Sequence, residues 1–246
     1  MRLACSLSAF AEDRFEIAMA KVAWAGFKAV ELSLARELPA GEALRARLRA
    51  EEIELAALEA GEAPLGVDDA ALEALGGIGR AAALTRALDG GVVVLSAPAE
   101  GELPELARAL AALHRALGEL PVDLCLANRA GTLLSAREEL QRLWDHGVPE
   151  RVGLALDPAQ AVLAGWDPLD LDALPELPRH VYLNDLRGGR VVPPGEGELN
   201  LSGFAKELRL RGYSGAVTLT LENADPWAVE PIARESRERA EDWFLA

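Results

Sequence analysis

The chain reads as an eight-fold α/β barrel, (β/α)8, built as a single domain over residues 1–246. Two observations predict it. Eight short, nearly continuous apolar runs recur along the sequence, as expected of parallel strands covered on both faces. Segments of helical periodicity lie between them, and 246 residues is a typical length for eight such units. An open, doubly wound sheet is the alternative, but no glycine-rich phosphate fingerprint follows the first run.

The strand runs are 3–6, 29–32, 54–58, 92–95, 122–127, 152–157, 181–184 and 216–221. Helical patterns cover 14–25, 41–50, 103–117, 136–144, 201–210 and 227–244. Pro39 and Gly41 open the second helix, and Ser135 is placed to cap the fifth. Gly118, Gly147 and Gly212 stand where helices should stop. The sixth unit is the least regular, because Trp166-Asp167-Pro168 interrupts the helix after Asp157. The start of the chain, MRLACSLSAFAEDRF, turns charged too soon for a secretory signal and reads as a first strand.

Composition narrows the function. Half the residues are hydrophobic, enough for a sizeable core. No apolar run approaches the ~20 residues needed to span a bilayer. A net charge of −15 argues against nucleic acid or an anionic membrane as partner, since both call for a basic surface. A cytoplasmic location is expected. Cys5 and Cys125, the only cysteines, sit in strand contexts and read as buried thiols. Of the 25 basic residues only Lys21, Lys28 and Lys206 are lysine, which fits a GC-rich genome or a thermophile equally well. There is no nucleophile-elbow serine, no HExxH and no CxxC.

Five pieces in order, LCLANRAGTLL, VGLALDPAQAVLAGWDP, HVYLNDLRG, VPPGEGELNLSGFAKEL and GYSGAVTLTLEN, together with AWAGFKAVELS earlier, resemble the xylose isomerase-like TIM-barrel superfamily of sugar and sugar-phosphate isomerases and epimerases. The resemblance implies a divalent-metal site with Glu ending the fifth strand, Asp or Glu after the sixth, His on the seventh and Glu on the eighth. Such an ion polarises carbonyl and hydroxyl oxygens while the glutamates move a proton between neighbouring carbons. Here those positions carry Ala127, Asp157, Tyr182 and Thr220. Gln160 replaces a histidine that follows the aspartate, and Arg129 stands where the fifth-strand motif has another. Asn128, Gly131 and Asp185 keep the motif.

The sequence therefore leads us to expect a sugar isomerase/epimerase-like barrel without the family's metal catalysis, holding a small polar or sugar-like ligand. The candidate ligand-binding residues are Asn128, Arg129, Asp157, Gln160, Tyr182, Asn184, Arg187, Glu196 and Glu222. No cofactor is expected. A rearranged carboxylate site on Asp157 and Glu222, holding Mn, Mg or Zn, is the alternative that would keep an active isomerase. A scaffold or regulatory partner of an active homologue is another, and a homodimer is compatible with all of them. Arg129 and Arg187 either bind an anion or pair with internal acids. Glu222, two residues past Thr220, is expected on the same strand face about 6.6 Å further along. His180 is expected low in the barrel as a packed, hydrogen-bonded residue, and His114 and His146 at helix surfaces. Trp166 is the tryptophan expected at the mouth; Trp24, Trp144, Trp227 and Trp243 fall in helical patterns. The endonuclease relatives in the same superfamily need histidines that this chain lacks.

Overall fold

The computed structural model describes residues 1–65, 69–225 and 227–245. Eight parallel strands close into a barrel. They are β1 (Arg2–Ser6), β2 (Ala29–Ser33), β3 (Glu54–Glu62), β4 (Val92–Ser96), β5 (Asp123–Ala127), β6 (Val152–Leu156), β7 (His180–Leu183) and, after a short hairpin, β10 (Ala216–Leu219). The hairpin pairs β8 (Asp185–Arg187) with β9 (Arg190–Val192) outside the barrel. β1 pairs with both β2 and β10, which completes the ring. The predicted barrel is the observed one.

The outer layer holds α1 (Phe15–Trp24), α2 (Gly41–Ala50), α3 (Asp69–Ala87), α4 (Leu103–Leu117), α5 (Arg137–Asp145), α6 (Pro158–Leu163), α7 (Leu201–Leu210) and α8 (Val229–Phe244). Outward-facing strand residues such as Val30, Leu95 and Leu154 join helix residues such as Leu44, Leu106 and Phe204 in one main core. Cys5 belongs to this layer, while Cys125 faces the barrel interior. Both are buried free thiols, and burial pushes both well above the usual thiol range.

The interior is made differently. Its floor is Ala4, Ala29, Ala56 and Ala216, and its middle joins Ala57, Val94, Cys125, Ala127 and Ala155 to Tyr182. Small residues from several strands thus surround bulky ones from β7. Below them, Gly153 lets the Arg179 side chain cross: a Cβ there would stand 2.5 Å from Arg179 Cδ. Arg179 is pinned by Asp123 at 3.1 Å, by Glu176 at 3.2 Å and by the Glu150 carbonyl at 2.7 Å. Gly153→Ala is therefore expected to cost about 1–3 kcal/mol through overpacking, read as a lower midpoint in urea. An unchanged midpoint would show that Arg179 moves aside freely.

Several local expectations need correction. Ser135 does not cap the fifth helix: α5 begins one residue later than predicted, Ala136 holds the N-cap position with no side-chain cap, and Ser135 Oγ instead accepts from Gly131 N. The last barrel strand stops at Leu219 rather than residue 221, so Glu222 is exposed in a turn and does not continue the Thr220 face. α8 starts at Val229, which leaves Trp227 outside the helix and 97% exposed. The helix α3 and the β8–β9 hairpin are additions to the predicted elements. Gly118, Gly147 and Gly212 do end helices, each with positive φ, where a Cβ would be strained. No helix among the described residues is long and apolar enough to cross a membrane.

Candidate active site at the carboxyl ends of the strands

A buried polar layer closes the top of the barrel. Asp157 caps α6, its Oδ1 accepting from Gln160 N at 3.0 Å, while Oδ2 accepts from Asn184 Nδ2 at 3.0 Å. The same Asn184 amide donates to Thr220 Oγ1 at 3.2 Å. Asn128 clamps the Asp157 backbone on both sides: Nδ2 donates to its carbonyl at 3.0 Å, and Oδ1 accepts from its amide at 2.7 Å. Gln160 Oε1 accepts from Ala130 N at 3.1 Å and so braces the loop after β5. Asn128 and Gln160 thus serve the backbone. Burial raises the Asp157 carboxyl to about 6, even though the Gln160 amide and Asn184 pull it down; the negative charge of Glu222 pushes the same way as burial.

Tyr182 lies beneath this layer, 4% exposed and in the same cluster as Ala127. Its ring meets His180 edge to face at 5.0 Å between centroids. His180 is fully buried, with Nε2 3.2 Å from Glu31 Oε2. That contact is within ion-pair distance but off the line of a hydrogen bond. The expectation for His180 is thus half met: it is packed, but not hydrogen-bonded. Glu31 Oε2, both His180 ring nitrogens, Tyr182 Oη, Asn184 Oδ1 and Thr218 Oγ1 all lack a hydrogen-bond partner among the described residues. Each buried polar atom left so costs roughly 1–3 kcal/mol, and buried polar groups in proteins are normally satisfied. Burial, then the charges of Glu31 and Glu59, push the Tyr182 phenol well above its ordinary value.

Above the layer opens a cleft of about 900 Å³. Its wall comes from the loop after β1, the ends of β3 and β5, and the chain between β10 and α8. Arg129 Nη2 donates to Glu59 Oε1 at 3.1 Å across it. Lys21 bridges Asp13 and Glu230, each at 2.9 Å. Phe10 and Trp227 supply aromatic surface, and Glu12 and Glu222 add further acids. Five carboxylates face two cations. A smaller hollow of about 320 Å³ lies at the opposite end of the barrel, away from the face where barrels of this type place their chemistry.

The candidate residues therefore separate. Arg129 and Glu222 line the cleft; Asn128, Asp157, Gln160, Tyr182 and Asn184 form the layers beneath it. Arg187 does not join them. It is exposed on the β8–β9 hairpin, without an ion-pair partner among the described residues, so only Arg129 pairs with an internal acid. Glu196 is half-buried in the loop that Asp185 organises, and does not line the cleft. Asp185 accepts from four backbone amides: Leu186 at 2.8 Å, Gly195 at 3.1 Å, Gly197 at 2.9 Å and Leu199 at 2.9 Å. Trp166 packs rather than presenting itself to the mouth, its Nε1 donating to the Ser135 carbonyl at 3.0 Å. Sequence reasoning missed Glu59, Lys21 and Trp227. An acid directly after the third apolar run was the available signal for Glu59. Among the described residues, no three His, Cys, Asp or Glu side chains gather where they would hold a metal ion.

A closed parallel barrel with a polar mouth at its carboxyl-terminal face defines the (β/α)8 class. Within that class, the model of the xylose isomerase-like TIM barrel family matches residues 19–243, and the chain belongs to this family. Similar solved structures include a xylose isomerase domain protein from Alicyclobacillus acidocaldarius subsp. acidocaldarius, 23% identical with a TM-score of 0.82, covering 100% of this chain and 98% of that one. A D-psicose 3-epimerase solved in the presence of D-fructose is 16% identical, with a TM-score of 0.81 and complete coverage of both chains. The IOLI protein with a bound zinc atom is 15% identical, with a TM-score of 0.85, covering 99% and 98%. At these identities the likeness is one of fold. No curated protein matches the chain significantly.

Proposed function

We propose that this member of the sugar isomerase/epimerase-like barrels binds a small, uncharged, hydroxylated ligand in the mouth cleft and does so without the family's divalent metal. The observation that carries this reading is the donor set. At the positions where the sequence resemblance calls for metal ligands stand the methyl of Ala127, the phenol of Tyr182 and the hydroxyl of Thr220. The one retained carboxylate, Asp157, is already engaged by Gln160 N and Asn184. Such a set does not fit a hard or borderline divalent ion, which calls for carboxylate and imidazole donors. Glu222 is exposed in its turn and supplies no second donor beside Asp157 in the buried layer.

The cleft itself supports the ligand class. Its excess of carboxylates repels phosphates and sugar acids, and Trp227 offers an open aromatic face for the apolar side of a sugar ring. The protein is expected to be purified without a stoichiometric divalent metal, and Mn²⁺, Mg²⁺ or Zn²⁺ should leave its melting temperature unchanged. A one-to-one ion lost on Asp157→Ala or Glu222→Ala would instead establish the rearranged carboxylate site. In calorimetric titrations, neutral sugars and polyols should bind more tightly than their phosphates. Trp227→Ala should weaken that binding about threefold to tenfold, the equivalent of roughly 0.5–1.5 kcal/mol of aromatic contact, with no change in melting temperature. Preference for phosphorylated ligands would sink the proposed class.

A further inference from the structure

We propose that the barrel carries an internal hydration site one layer beneath the cleft floor, where bound water bridges Glu31, His180, Tyr182 and Thr218. The site is separate from the ligand-binding reading, because none of these four side chains lines the cleft.

The topology brings the groups together. Around the ring, β2 is followed by β1, β10 and β7. Glu31 comes from β2, and His180 and Tyr182 come from β7, so the two sides meet across β1 and β10. The residues that those two strands place between them are small. Ala4 is in register with Thr218, and Thr218 with Tyr182; Ala29 and Ala216 join Ala4 in the floor. Glu31 and His180 can therefore reach one another, with Oε2 standing 3.2 Å from Nε2. The Tyr182 ring stands against His180 at 5.0 Å between centroids. The charge of Glu31 is near enough to add to burial in holding the Tyr182 phenol above its ordinary value.

Each of the four side chains leaves a polar atom without a partner among the described residues, and each is at least nine-tenths buried. The contrast with their neighbours is sharp. Asp157 and Asn128 above them are engaged, and Ser6, in register with Glu31, shares a hydrogen bond with Ser8 at 2.8 Å. A direct bond between Glu31 and His180 would use one imidazole nitrogen and leave Nδ1, the phenol and the Thr218 hydroxyl unmatched. Whatever bridges them all has to donate and accept. The carboxylate only accepts, the two hydroxyls do both, and a neutral imidazole offers one of each. Water meets that mixture, needing little space and roughly two to four polar partners. A cation would call on acceptors alone and leave the imidazole N–H unmatched. Bound water thus ties β2 to β7 across β1 and β10, under the layer of Asp157 and Asn184.

The test is oxygen-17 magnetic relaxation dispersion, which counts the water molecules that stay with the protein for longer than it takes to tumble. Tyr182→Phe combined with Thr218→Val removes two hydroxyls at nearly constant shape and is expected to lower the count by about one or two molecules. Ser6→Ala, whose hydroxyl is already paired, should leave the count unchanged. An unaltered count in the double variant overturns the site, and so does an equal fall in Ser6→Ala. Because an interior variant can fail to fold, the parent protein is also crystallised. Density is expected about 2.7–3.2 Å from His180 and from Glu31 or Tyr182. No density above noise there overturns the proposal. A peak that scatters anomalously after rubidium exchange marks a cation site and overturns it as well. A transition metal at that peak in the protein as purified would sink the metal-free reading too, whereas missing water alone leaves the ligand-binding reading intact.

Discussion

Asp185→Ala should lower stability by about 3–5 kcal/mol, because removing one buried acceptor orphans four amides that each carry a cost of roughly 1–3 kcal/mol when unpaired, partly relieved by water. For a chain of this length, that corresponds to a fall in melting temperature on the order of 10 °C. The loop between β9 and α7 should loosen first, since Gly195, Gly197 and Leu199 all hang from the one carboxylate. Gly197 is part of the same device: a Cβ there would stand 2.3 Å from Asp185 Oδ1. Hydrogen exchange should show the amides of Gly195, Gly197 and Leu199 losing protection together. A melting temperature within about 2 °C of the parent, an order-of-magnitude allowance on the same scale, would refute the role.

Asp157→Asn should change how stability depends on pH. The folded carboxyl titrates near 6 against an ordinary 3.8, mainly because burial disfavours its charge. A raised folded value means that the group's contribution is fully present below about pH 4 and is lost as pH rises through about 6. Relative to the parent, the asparagine variant should therefore gain roughly 2–3 kcal/mol between pH 4 and pH 8, since each tenfold change in proton affinity is worth about 1.4 kcal/mol. Asparagine remains a good N-cap, and a flip of the Asn184 amide restores the second hydrogen bond. Urea titrations of both proteins at pH 4, 6 and 8 measure this difference. Parallel stability curves across that range would falsify the linkage.

The framework was legible because burial on both faces writes a strand as a plain apolar run, and each of the eight runs became a barrel strand. The N-capping role of Asp157 and the pairing of Arg129 with an acid were also within reach, since both depend on neighbours a turn or a strand away. The interior was harder. Ala56 is skipped by a register shift between β2 and β3, which pairs Val30 with Leu55 and then Glu31 with Ala57, and simple alternation from Leu55 does not reveal that Glu59 reaches the cleft. The place of His180 at the start of a run gives its level in the barrel, but its meeting with Glu31 depends on closure of the ring. Glu222 and Trp227 differ from expectation because the connection between β10 and α8 is longer than the patterns imply: the strand stops at Leu219 and the helix starts only at Val229. Arg187 is close in sequence to Asn184, which suggests the mouth, whereas the β8–β9 hairpin carries it outward.

The barrel interior described above takes its floor from alanines on four strands and much of its bulk from His180 and Tyr182 on one. The protein should therefore not divide into folding halves. A chain ending before β7 would close around a hollow lined by Ala57, Ala127 and Ala155, so assembly must wait for the seventh strand as for a keystone. A fragment of residues 1–175 is expected to retain helical dichroism yet bind a hydrophobic dye, and to lose that dye when mixed with residues 176–246. A fragment that melts cooperatively on its own would show that the first six units already hold the ring's shape.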